Sequence, residues 1–341
     1  MNTATQVIER KTVSTDFVRT AEEVRKQRMI NNLLNDDMRM LIPYLKEKTV
    51  TDISLPDSGE IIISRFRQPR DFTGIVLPDY IVERIIKATA AISGRPLDVY
   101  SGFPILEANI PVYNARLTAL MEPNCCRPEL QIRKPPEIIY TLEEYVEHGE
   151  MTQAQYDLIV SFIKNRANIM VCGATGSGKT TLTNAILHKM VEFTPEDNFY
   201  IVEDNNEIQC KARMKTRLIV QKEFTYKAVE EALRFSPDRI IFGEVRNALV
   251  CRSLLEAWET GHAGNVTTLH ANNCKVALLK IKSWLGRDMA FMAEHLSDVI
   301  QLIVHIKKSV IDGVHVDELY PITEETDNFL AGIRIAEGTQ I

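Results

Sequence analysis

No two of the six cysteines in this chain (Cys125, Cys126, Cys172, Cys210, Cys251 and Cys274) are spaced C-x-x-C. That removes the strongest sequence sign of structural zinc or of a redox dithiol. The adjacent Cys125 and Cys126 read as ordinary thiols, and disulfides are not expected. Long hydrophobic runs are also missing: IIIS at 61–64 and NIMVCGA at 168–174 fall far short of a membrane span. Basic charge is not in excess, with 40 Lys and Arg against 46 Asp and Glu and a net charge of −6. Nothing in that balance advertises nucleic-acid binding. The opening residues MNTATQVIERKTVSTDF hold no apolar core of a secretory signal. The expectation is a protein made and kept in the cytoplasm, with any membrane association peripheral or through a partner. Internal repeats and low-complexity tracts are absent as well.

What is present fits two domains, since 341 residues exceed one ordinary core. Residues 16 to 47 carry apolar positions at helical spacing, from Phe17, Ala21 and Val24 to Met38, Leu41 and Leu45. Pro43 predicts a kink or a division late in that run. After Val50 come short branched segments, VTDISLP, EIIISRF and FTGIVLP, then an amphipathic helix at 79–93. The helix stripe is Ile81, Ile85, Ala88 and Ile92, widened by Val82 and Ile86. Three more strand-like pieces follow: ILEANIPVY, ARLTALMEP and ELQIRKPP. The expected division is a helical N-terminal extension (1–47), a small mixed α/β domain (48–135), a linker with a short helix (136–151) and a second domain (152–341). In the second domain NIMVCG, FYIVED, RLIV, RIIFGEV, NVTTLH and VIQLIVHI alternate with helices, which argues a mostly parallel sheet.

GATGSGKT at 173–180 matches G-x-x-x-x-G-K-[ST] at every fixed position. A buried strand precedes it and a helix begins inside it. Gly173, Gly176 and Gly178 let the backbone amides of the loop, with Thr175, Ser177 and Thr181, turn toward an anion. The helix N-terminus adds partial positive charge. Lys179 is placed to reach the β and γ phosphates, and the Thr180 hydroxyl to ligate Mg²⁺. The motif in this setting predicts a P-loop NTPase.

Hydrolysis also needs a carboxylate for the metal and a group that activates water. RIIFGEV (239–245) supplies Glu244 for the water, but Gly243 stands where such strands commonly end in Asp. Glu203 and Asp204, closing the strand FYIVED, are the alternative metal acids, because ligands bind at the carboxyl ends of parallel strands.

Four boxes in fixed order, GATGSGKT, IVEDNNEIQC, SPDRIIFGEVRN and TGHAGNVTTLHAN, resemble the Walker A, aspartate, Walker B and histidine boxes of the type II and type IV secretion ATPases. The resemblance covers about residues 50 to 322. IRKPP, TLEEYVEHGEMT and GSGKTTLTNAIL make it strongest to the conjugative-transfer branch. It implies a PAS-like mixed α/β N-terminal domain followed by a RecA-like P-loop ATPase domain, with ATP and Mg²⁺ as cofactors. It further implies a homo-hexamer working with the secretion machinery at the inner membrane, with nucleotide held between the two domains. Lys179 and Thr180 would bind phosphate and Mg²⁺, Glu203 would belong to the aspartate box, and Glu244 would be the catalytic carboxylate. Arg116 and Arg133 resemble N-terminal-domain arginines that contact phosphates, a role that suits the guanidinium fork. Asn247 departs from the family pattern, where Asp or Gly often follows G-E-x-R.

His262, His270 and Cys274 lie within fourteen residues and look like metal ligands. The resemblance explains the histidines without a metal, as a histidine box near the γ-phosphate, and Cys274 reads as a packed thiol. Three rival functions stand beside a conjugative motor. A type II or retractile-pilus motor is one, although assembly ATPases of that kind usually carry a tetracysteine zinc motif. A nucleotide-gated scaffold without turnover is another. A RecA-like DNA motor is the third, and the acidic balance gives it no support.

Overall fold

The computed structural model describes residues 21–94, 105–110, 112–123, 125–221, 224–286, 289, 292, 295–309 and 313–332. The chain divides into two compact units: Met1–Ser64 with Arg70–Lys134, and Arg65–Pro69 with Pro135–Ile341.

The first unit opens with α1 (Ala21–Asn32), a π-helical turn at Leu33–Asp37, and α2 (Ile42–Lys46). The predicted helical run is thus divided ahead of Pro43, which sits in the first turn of α2, where a missing N–H costs nothing. Phe17 lies outside the described residues. Leu33, Met38, Leu41 and Leu45 are buried in the core of this unit, so the segment is built into it. Strands β1 (Val50–Leu55), β2 (Glu60–Arg65) and β3 (Asp71–Val76) lead to α3 (Asp79–Ser93). Then come β4 (Ile105–Ile110), β5 (Ala115–Leu120) and β6 (Glu129–Arg133). They form one sheet in the order β3-β2-β1-β6-β5-β4, with β1–β6, β6–β5 and β5–β4 antiparallel. Strict alternation in β4 and β5 buries Leu106, Ala108, Ile110, Ala115, Leu117 and Ala119. On α3 the buried face is Val82, Ile85, Ile86, Thr89, Ala90 and Ile92, turned slightly from the predicted stripe. The helix ends at Gly94, in the left-handed conformation that glycine adopts freely.

The second unit begins with α4 (Leu142–Glu147) and α5 (Gln153–Lys164). Each starts on a reciprocal capping box, Thr141 with Glu144 and Thr152 with Gln155. α5 is an element beyond those expected from the sequence. There follow β7 (Ile169–Cys172), α6 (Lys179–Phe193), β8 (Asn198–Glu203), β9 (Met214–Ile219), α7 (Thr225–Glu230), β10 (Arg239–Val245), α8 (Ala248–Glu259), β11 (Val266–Leu269) and α9 (Cys274–Leu285). The chain continues through α10 (Leu296–Val299), β12 (Leu302–Ser309), β13 (Gly313–Pro321) and α11 (Glu324–Gly332). Seven strands pair in the order β13-β12-β7-β11-β10-β8-β9. Every pair is parallel except β12–β13. β7, β8 and β11 are buried at every residue, as helices on both faces of a parallel sheet require. The antiparallel β13 was also unforeseen, because His315, Asp317 and Glu318 interrupt its apolar pattern.

Parallel pairing brings the exits of β7, β8, β10 and β11 to one edge of the sheet. The glycine loop, the acidic turn, Glu244 and His270 therefore leave their strands side by side. No helix among the described residues is long and apolar enough to cross a membrane.

Candidate functional site

The glycine loop joins β7 to α6. Gly176 and Gly178 take φ of 72° and 97°, which only glycine adopts without strain, and Gly178 is the N-cap of α6. A Cβ on Gly173 would collide with the Ile306 carbonyl and the Ser177 hydroxyl. Ala174, Thr175 and Gly176 are exposed at the loop's crest, Ser177 is buried beneath it, and Thr181 is partly buried on α6. The buried Oγ of Ser177 has no hydrogen-bond partner. Exposed crest amides, a helix N-terminus and an unpartnered hydroxyl form a cradle suited to an anion.

Lys179 is buried. Its Nζ donates to the carbonyls of Gly173 (3.1 Å) and Ala174 (2.9 Å), and Nδ1 of His270 lies 3.1 Å away. On the far side of the imidazole, Nε2 is 2.5 Å from Oε1 of Glu244, in ion-pair range but off the axis of a hydrogen bond. Burial and the Lys179 cation lower the His270 pKa against the pull of Glu244. A neutral ring that accepts at Nδ1 from the lysine carries its proton on Nε2, facing the carboxylate. His270 thus links the loop lysine to the candidate catalytic acid.

Glu244 is held from its other side. Its Oε2 accepts from Nε (3.0 Å) and Nη2 (2.8 Å) of Arg246, whose Nη1 donates to Asp204. Asp204, expected as a possible metal acid, is thus engaged by an arginine.

Glu203 takes another place than a metal acid. It is 2% exposed, and its Oε2 accepts from the amides of Glu207 (2.8 Å) and Ile208 (2.9 Å). Oε1 has no hydrogen bond, and Arg217 lies 3.6 Å away. Burial, working against the amides and Arg217, pushes its pKa up to about 7. Glu203 shapes the turn, and the turn delivers Glu207, which the sequence reading passed over. Oε2 of Glu207 accepts from the Thr180 hydroxyl at 3.2 Å, and its carbonyl receives the Asn184 amide at 3.0 Å. Thr180 and Glu207 together offer the hard oxygen donors that Mg²⁺ takes. The signal was in IVEDNNE: the third acid stands where the chain has turned back over α6. Gly243 also has a local reason, because a Cβ there would lie 3.1 Å from Cβ of Glu203.

The two histidines are not brought together. Asn265, beside Asn168, leads into β11, which ends at Leu269, beside Cys172. His262 precedes the strand and His270 follows it, so they occupy opposite edges of the sheet. This corrects the expectation that both lie near the γ-phosphate side. His262 Nδ1 is 3.1 Å from the Ala257 carbonyl, and the side chain lines a cavity of about 460 Å³ with Phe162, Arg166 and Trp258. Cys274 is buried at the start of α9, its Sγ 3.6 Å from the Ile303 carbonyl. Asn247 is the N-cap of α8, its side chain accepting from the Val250 amide at 3.0 Å. Arg133 and Arg116 belong to the first unit, opposite each other on β6 and β5, and Arg133 pairs with Asp52 at 2.9 Å.

The family model described as "Type II/IV secretion system protein" matches residues 34–324. The chain belongs to that family. The probable conjugal transfer protein TrbB of Sinorhizobium fredii (strain NBRC 101917 / NGR234) is 33% identical over 287 residues, covering 84% of this chain and 86% of that protein. The type IV secretion system protein VirB11 of Brucella suis biovar 1 (strain 1330) is 24% identical over 330 residues, covering 84% of this chain and 90% of VirB11. The chain is thus homologous to conjugal transfer TrbB and VirB11 secretion ATPases. Among solved structures, the Legionella pneumophila ATPase DotB superposes with a TM-score of 0.62 at 20% identity, covering 86% of this chain and 82% of DotB. That likeness concerns the fold alone, a mixed α/β architecture.

Proposed function

We propose that this chain is an ATP-hydrolysing motor of a conjugative type IV secretion system, driving pilus assembly, substrate transfer or both. The two units then correspond to a PAS-like and a RecA-like domain. The observation that carries the reading is the contact chain Lys179–His270–Glu244, which puts a phosphate-binding cation and a water-activating acid on either side of one imidazole.

Bound Mg²⁺ supplies charge neutralisation at the phosphates. The remaining roles fall to the chain. Amides of 173–178 and the α6 N-terminus hold the phosphates. Lys179 exchanges its loop carbonyls and His270 for phosphate oxygens, and Thr180 and Glu207 hold the metal. As water attacks the γ-phosphorus and the bond to the ADP oxygen breaks, Oε1 of Glu244 accepts the water's proton. Arg133 and Arg116 are proposed to add phosphate contacts from the first unit. The chain acts as a homo-hexamer in the cytoplasm, peripheral to the inner membrane through its partners, without direct nucleic-acid binding.

Phosphate release by the purified protein with Mg²⁺ and ATP tests the reading. Lys179→Ala should lose nucleotide binding, while Glu244→Gln should bind ATP and fail to turn it over. A Lys179→Ala protein with unchanged binding and turnover would remove the mechanism.

A further inference from the structure

Two carboxylates leave this sheet at the same level. β8 and β10 are parallel neighbours with Val202 opposite Phe242, so Asp204 and Glu244 each follow two residues beyond that pair. Adjacent strands are about 4.8 Å apart, and two acids that close repel each other. Arg246 is two residues beyond Glu244, just past the end of β10. Its guanidinium fills the gap, with Nη1 on Asp204 and both Nε and Nη2 on Oε2 of Glu244. Asp204 and Glu244 are largely buried, and Arg246 is about one-third exposed.

This arrangement does more than neutralise charge. A carboxylate with one oxygen held by two N–H donors of a planar group favours one orientation about its last bond, so its two oxygens are no longer equivalent. Oε2 is committed to the arginine. Oε1 is the oxygen without a hydrogen bond, and it faces His270 on the side of Lys179. We infer that Arg246, anchored by Asp204, is a positioning residue that selects Oε1 of Glu244 as the oxygen that receives the proton. Asp204 then serves the reaction from one step further back, by fixing the arginine. The inference rests on the hydrolytic reading of the site given above.

Lysine at 246 provides a point charge in place of a fork and cannot span both acids in the same way. A misplaced catalytic oxygen costs up to about 100-fold in rate without touching substrate binding. Arg246→Ala is therefore expected to lower kcat between about ten- and 100-fold, with the Kd for a non-hydrolysable ATP analogue changed less than about threefold. Arg246→Lys should recover only part of the loss, and Asp204→Asn should fall between wild type and Arg246→Ala. In a Glu244→Gln background, Arg246→Ala should produce no further drop in single-turnover rate, because the group it positions is gone.

Wild type and Glu244→Gln are measured alongside as references. An inactive wild type, or an active Glu244→Gln, would count against the hydrolytic reading itself. With those references as expected, an Arg246→Ala protein at wild-type kcat would overturn the inference. So would a loss confined to Kd, which would make Arg246 a nucleotide contact, or an equal drop in both backgrounds, which would give it a role independent of Glu244. Should Arg246→Ala not fold, Asp204→Asn and Arg246→Lys decide by the same criteria.

Discussion

At the scale of single residues, the acids divide the labour differently from their order in the sequence. Glu203, Asp204 and Glu207 lie within five positions, yet one shapes a turn, one anchors an arginine and one reaches the Thr180 hydroxyl. Periodicity and motif found the strand end but could not rank the acids, because their roles depend on how the turn folds over α6. Two predictions belong here. Glu207→Gln removes an anionic oxygen beside Thr180, so hydrolysis should require about ten- to 100-fold more Mg²⁺, read from a metal titration of turnover. An unchanged titration would place the metal elsewhere. The pKa of Glu203 is raised to about 7 from an ordinary 4.5. Its contribution to stability is thus fully present below about pH 4.5 and is lost as pH rises through about 7. Glu203→Gln has no such charge to bury, so between pH 5 and 8 the variant should gain about 2 kcal/mol on wild type in urea denaturation. A gap that stays constant with pH would show that the amides and Arg217 fully compensate the buried charge.

At the scale of elements, strand and helix placement was largely legible. Alternation located β4 and β5, the helical stripe located α3, and the glycine motif located the junction of β7 and α6. α5 and β13 were not foreseen. α5 was missed although Ile159, Val160 and Ile163 line one buried face behind the Thr152 cap, and β13 is an edge strand whose charged residues mask its period. His262 was misplaced for a topological reason: the seven residues between it and His270 include all of β11, so the two histidines sit at opposite ends of that strand. Asn247, a departure from the family pattern, has a local function as the cap of α8. Asn247→Ala should cost about 1 kcal/mol of stability, whereas Asn247→Asp, which keeps an acceptor, should cost little. Thermal denaturation of the two variants checks this, and equal losses would mean that the cap is not what the side chain contributes.

At the scale of the whole molecule, the division into two units, the order of four boxes and the family membership agree on one kind of machine. A parallel sheet gathers a phosphate loop, an acidic turn, a carboxylate and a histidine at one edge, and that is how such a fold concentrates chemistry. The type of site was legible because the glycine loop has a fixed pattern with a physical cause. The connections among Lys179, His270, Glu244, Arg246 and Asp204 were not legible, because they join residues from four separate segments. The proposed motor depends on Glu244 acting on water while the loop holds nucleotide. The most direct measurement is steady-state phosphate release by wild type and Glu244→Gln under saturating Mg²⁺ and ATP, with nucleotide binding recorded on the same samples. The expected result is a drop in kcat of at least about 100-fold with binding retained. Equal turnover by the two proteins would contradict it.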